Sequence, residues 1–132
     1  AEMREKRQVK LQQFRDQKKA KRVEQISDSL NKINQRHVEQ MTKHLIRMTE
    51  LLAKVEANAK TTAAQTAIQT AQDAVEVQKA KDYMVTVSTE EKVSTDAKAT
   101  REQLRADLQT TNKLLKEAKQ ALIAAIREAG ND

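Results

Sequence analysis

The chain has 132 residues, of which 38% are hydrophobic and 33% charged, and its formal net charge is +6 at pH 7. Ordinary globular domains carry ~45–50% apolar and ~25% charged residues. Phe14 and Tyr83 are the only aromatic residues, Trp, Cys and Pro are absent, and the one glycine is Gly130. This composition excludes disulfides and thiolate metal sites. It also argues against a compact globule, whose core draws on several large aromatic side chains. Frequent turning is disfavoured too, because turns need Gly, Pro, Asn or Asp. What remains is rich in Ala, Gln, Lys, Glu, Arg and Leu, the best helix formers.

Residues 1–22 form a basic arm. It holds Arg4, Lys6, Arg7, Lys10, Arg15, Lys18, Lys19, Lys21 and Arg22 against Glu2, Glu5 and Asp16 only. Residues 23–132 carry 16 charges of each sign, so the whole excess lies in this segment. Charge concentrated at one end of a chain usually marks an interaction arm. A solvated helix end is the plainer interpretation. The segment starts as if in mid-helix, as a piece of a longer chain would.

Residues 23–59 show heptad spacing. The series runs Val23, Ile26, Leu30, Ile33, His37, Met41, Leu45, Met48, Leu52, Val55 and Ala59. Three successive steps of four between Ile33 and Leu45 constitute a stutter, which relaxes a supercoil locally. Residues 60–83 read as an Ala-rich helix, and eight of the 24 residues in 57–80 are alanine. Small side chains permit close approach of a neighbouring helix.

Residues 84–95 are the weakest helical stretch, because Val85, Thr86, Val87, Ser88 and Thr89 combine β-branched and hydroxyl side chains. Ser88 with Glu91 matches a capping box, and Ser94-Thr95-Asp96 offers a second N-cap. A turn is predicted here. Residues 96–129 then step regularly through Ala97, Arg101, Leu104, Leu108, Thr111, Leu115, Ala118, Leu122, Ala125 and Ala129. Leu114, Ile123 and Ile126 widen this stripe, as in a helix with more than one neighbour.

The expected fold is all-α: an elongated coiled coil whose long N-terminal helix receives the C-terminal helix as an antiparallel hairpin. The alternative is a three-helix bundle with a further break near Asn58–Thr62, which requires a turn without Gly or Pro. In the hairpin, residues 3–47 lack an intramolecular partner, so a homodimer sealed through Val23–Val55 is expected.

Catalysis is not expected. The two histidines, His37 and His44, lie seven apart, and no nucleophile elbow, phosphate-binding glycine loop or H-E-x-x-H pattern occurs. No cofactor, metal site or small-molecule substrate is predicted. His37, Met41, His44 and Met48 share one helical face, where a metal site is conceivable. Methionines filling a seam with histidines at its edge explain them more simply.

The nine cations of the arm point instead to docking on an acidic surface. The order of basic segment and heptads resembles the layout of leucine-zipper transcription factors. However, KLQQFRDQKKAKR lacks their Asn-x-x-Ala-Ala-x-x-(Ser/Cys)-Arg pattern. An anionic membrane is a poor match, since Met3, Val9, Leu11 and Phe14 are the only apolar residues available on that side. The heptads resemble those of cytoskeletal, kinetochore and tethering coiled coils as a class. The expected function is a structural scaffold, intracellular in the cytoplasm, cytoskeleton or nucleus. It would dock on an acidic protein polymer such as the tubulin lattice. A nucleic-acid-binding coiled coil and a plain oligomerisation spacer are the alternatives.

Overall fold

A computed structural model of the chain describes residue 11 and residues 16–130, and every regular element among residues 16–130 is helical. Helix α1 spans Gln17–Ala53, α2 spans Thr61–Lys79, and α3 spans Val93–Gly130, preceded by a 3-10 turn at Glu90–Lys92. The all-α expectation holds, with the second break that belongs to the three-helix alternative. Two compact units share the helices. One comprises residues up to Ile33 with Asp82–Arg105, and the other comprises Asn34–Lys81 with the chain from Ala106 onward.

The first unit starts from Asp16, the N-cap of α1. Its Oδ1 accepts hydrogen bonds from the backbone N–H groups of Lys18 at 2.9 Å and Lys19 at 3.4 Å. A short acceptor at this position satisfies N–H groups that the helix itself leaves unpaired. The N–H of Asp16 donates to Glu90 Oε1 at 3.1 Å, which sets the start of α1 beside the start of α3. Asp16 thus ends any single helix running through the basic arm into the heptads.

Residues 84–95, expected to turn, instead begin as an extended strap. Tyr83, Val85 and Val87 are buried while Met84 and Thr86 are more open. That alternation has the period of two that extended backbone imposes. β-branched Val85 and Val87 suit it, for the same reason that they suit a helix poorly.

An extended segment leaves its N–H groups without helical partners, and α1 supplies them. Asn31 Oδ1 accepts from the Tyr83 N–H at 2.7 Å, and Asn31 Nδ2 donates to Asp82 Oδ1 at 2.8 Å. Ser27 Oγ, fully buried, accepts from the Val85 N–H at 3.0 Å. The strap ends where Asp96 Oδ2 accepts from the Ser88 N–H at 2.9 Å and the Ser88 hydroxyl at 3.1 Å. Asp96, rather than a Ser88–Glu91 box, therefore organises the entry to α3. Leu11, Ala20, Val23, Val85, Val87, Val93 and Ala97 form the apolar core of this unit, with Ile26 packed partly against it.

The second unit joins three helical segments. The chain leaves α1 after Ala53 and re-enters helix at Thr61, so the expected long N-terminal helix is interrupted. Among the described residues none takes a positive φ. Asn58 and Thr61 make the turn with side-chain hydrogen bonds instead of Gly or Pro. Asn58 Oδ1 accepts from the Lys60 N–H at 2.8 Å, and the Thr61 hydroxyl donates to the Asn58 carbonyl at 2.9 Å.

Asn58 Nδ2 also donates to the Ala125 carbonyl of α3 at 3.1 Å. At the other end of α2, Lys81 Nζ lies 3.3 Å from Asp107 Oδ2. These two contacts make α2 and α3 antiparallel. Replacing Asn58 by alanine removes the turn's acceptor and the tie to α3. The expected loss is about 1–2 kcal/mol, read as a lower urea midpoint with an unchanged slope.

Burial along α1 corrects the phase of the expected seam. The buried positions are Ala20, Val23, Ser27, Leu30, Asn34, Val38, Met41, Leu45 and Met48. Val23, Leu30, Met41, Leu45 and Met48 were expected among them. Ile26, His37, Leu52 and Val55 are half-buried, and Ile33 is 39% exposed. The extra step of four falls between Leu30 and Val38, so the stutter lies earlier than expected. Polar Ser27 and Asn34 take the inward places that Ile26 and Ile33 were expected to fill. Within the chain, Val23, Leu30, Met41 and Leu45 of the described part of the 3–47 stripe are buried, whereas Ile33 is left exposed.

Candidate functional site

Of the nine cations of the basic arm, Arg4, Lys6, Arg7, Lys10 and Arg15 lie outside the described residues. Lys18, Lys19, Lys21 and Arg22 occupy the first turns of α1, and all four are exposed. The first turn of α1 contains no acidic residue. Aligned peptide dipoles place partial positive charge at a helix N-terminus, where carboxylates stabilise and cations destabilise by ~0.3–1 kcal/mol each. Asp16 and the Glu90 carboxylate offset part of this charge. The side chains of Lys19 and Arg22 have no ion-pair partner among the described residues.

Beside these cations runs a groove within the first unit, between α1 and the start of α3, with a volume of about 600 Å³. From α1 it is lined by Lys19, Arg22, Ile26, Leu30 and Ile33. Opposite them stand Glu90, Glu91, Val93, Ala97 and Arg101. Because Asp16 is bonded to Glu90 at one end, and Ile33 and Arg101 line the same groove, α1 and α3 run in one direction here. Polar Gln25, Ser29 and Ser94 are interspersed with the aliphatic lining residues and the rim is charged, with Arg101 also exposed and without an ion-pair partner among the described residues.

The aliphatic lining follows from the two faces of α1. Val23 and Ser27 face the strap and core, Ile26 packs partly against that core, and Leu30 and Ile33 line the groove. Sequence reasoning merged these into one seam. The available signal was that residues 23–34 hold two interleaved heptads, one of them broken by Ser27 and Asn34.

The histidine–methionine face is divided by burial. Met41 and Met48 are buried, His37 is half-buried and His44 is exposed. Among the described residues no group of three or more His, Cys, Asp or Glu side chains is placed to hold a metal ion. No helix among them is long and apolar enough to cross a membrane.

Fold and site together define a class: a helical module with a cationic, partly aliphatic groove. Compared with protein-family models, curated proteins and solved structures, the chain matches none.

Proposed function

We propose that the chain is a non-catalytic helical scaffold module that docks on an acidic protein surface through the cationic start of α1. One observation carries this reading. Lys18, Lys19, Lys21 and Arg22 stand exposed at the helix end where positive charge is least favourable. Carboxylates would serve folding better there, so the placement makes sense as a recognition feature that an acidic partner relieves. An acidic polymer surface such as the tubulin lattice has the complementary charge. The expected compartment is then the cytoplasm with its cytoskeleton. Duplex DNA is the competing partner, and the four cations alone do not discriminate between the two.

Co-sedimentation with microtubules and a gel shift on duplex DNA, each at low and moderate salt, separate these readings. Wild type is expected to co-sediment and to lose binding steeply as salt rises. Reversal of all four cations to glutamate is expected to reduce co-sedimentation at low salt at least about tenfold, since each exposed charge pair adds a few tenths to 1 kcal/mol. Unchanged co-sedimentation of the reversed variant sinks the proposal. A shift of DNA in the absence of microtubule binding would transfer the function to nucleic acid.

A further inference from the structure

Within that reading, we infer that the groove between α1 and α3 of the first unit receives an acidic amphipathic helix from the partner. The inference rests on the proposed acidic docking and adds the shape and polarity of what docks.

Three observations meet at the groove. Its lining places Ile26, Leu30 and Ile33 beside polar Gln25, Ser29 and Ser94, and Ile33 remains 39% exposed there although it is a large β-branched side chain. An open groove that joins aliphatic side chains to a charged rim offers both apolar and ionic contacts to a partner. Its walls carry Lys19, Arg22 and Arg101, whose side chains have no ion-pair partner among the described residues. Finally, the walls are two helices running in one direction, and the strip from Lys19 to Ile33 is roughly 21 Å long at the helical rise. That length matches about four turns of a third helix, whose ridge of side chains would fill the hollow.

These features select among occupants. A duplex has no apolar ridge to seat on Ile26, Leu30 and Ile33, and the described residues lining the groove include no aromatic ring on which a base could stack. A second copy presenting the same hollow face-to-face would leave the two cavities facing each other unfilled. A helix with leucine-type residues at heptad spacing and carboxylates on its flanks satisfies both the aliphatic lining and the charged walls. Its carboxylates would meet Arg22 and Arg101 on opposite sides. Glu90 and Glu91 at the capped end favour a basic residue at the matching end of the ligand, which fixes its direction.

The test uses the full chain and three probes. The first is a synthetic peptide of about three heptads, with Leu at the first and fourth positions and Glu, Gln and Ala elsewhere. The second is the same composition shuffled to destroy the heptad, and the third is polyglutamate. Fluorescence anisotropy is expected to show the ordered peptide binding at least about tenfold more tightly than the shuffled one, a ratio set by burial of its leucines.

Ile33→Ser is expected to abolish that advantage while leaving polyglutamate binding unchanged. Because Ile33 is already partly exposed, its far-UV spectrum and melting curve should match wild type. Arg101→Gln should weaken ordered peptide and polyglutamate alike. Equal binding of ordered and shuffled peptides overturns the groove assignment but leaves acidic docking intact. Tight ordered-peptide binding without polyglutamate binding does the reverse. The inference also falls if Ile33→Ser weakens DNA binding or self-association of the chain and spares the peptide.

Discussion

Leu122→Ala is expected to destabilise the chain by about 3 kcal/mol, whereas Ile123→Ala, one residue away, should cost under about 1 kcal/mol. Leu122 is 3% exposed on the inward stripe of α3, and Ile123 is 37% exposed beside it. Removing the buried side chain loses its transfer free energy and leaves a cavity that neighbouring alanines are too small to fill. Ala118 and Ala125, one heptad step to either side, are fully buried and cannot extend into the space. Urea unfolding of the two variants measures the contrast directly. Comparable losses would mean that Ile123 and Ile126 face a neighbour, as their place on the widened stripe suggests from sequence alone.

Asn34→Ala is expected to cost a similar amount, about 3 kcal/mol, by a different mechanism. Asn34 and Gln78 are each 2% exposed and face one another between α1 and α2. Asn34 Nδ2 donates to the Gln78 carbonyl at 3.0 Å, and Gln78 Nε2 donates to Asn34 Oδ1 at 2.8 Å. One amide thus both gives and receives, pinning the last turn of α2 onto α1 just before the strap begins. Truncation removes both bonds and leaves the buried Gln78 amide without this acceptor, a larger penalty than a surface bond would carry.

Asn34→Asp should be at least as harmful, since a carboxylate cannot donate to the carbonyl. Hydrogen exchange supplies a local readout, with protection expected to fall first in residues 75–81. An Asn34→Ala variant with the wild-type midpoint would show that the pair adds nothing to stability.

How much of this was legible in the sequence depended on whether side-chain polarity matched burial. In most of α3 it did. Leu104, Leu108, Thr111, Leu115, Ala118, Leu122 and Ala125 of the expected inner stripe are buried, whereas charged Arg101 on the same stripe is exposed and Ala129, near the helix end, is half-buried. In α1 the inner stripe includes Ser27 and Asn34, whose partners are the backbone of the strap and a glutamine on α2. Tertiary hydrogen bonds stabilise these polar positions, and no local pattern announces them. Apolar spacing therefore drifted onto Ile26, Ile33 and His37.

The turn at 54–60 was discounted for lack of Gly or Pro, although Asn58 followed by Thr61 is a known way for side chains to hold a turn. The strap carried its signal openly in Tyr83, Val85 and Val87. The same β-branched residues are also poor helix formers, which masks the alternation. The cationic half of the candidate site was visible in composition. The groove was not, because it exists only once Asp16 and Glu90 align the starts of α1 and α3.

The cations at the start of α1 are the centre of this account, and one paired measurement probes them most directly. A Lys18→Glu, Lys19→Glu variant should be followed by thermal melting and by polyglutamate binding on the same sample. Carboxylates at these positions suit the helix dipole, so the melting temperature should rise by a few degrees, in line with ~0.3–1 kcal/mol per site. Polyglutamate binding should fall. A variant that melts lower than wild type, or binds polyglutamate equally well, would show that these lysines serve the fold and not a partner.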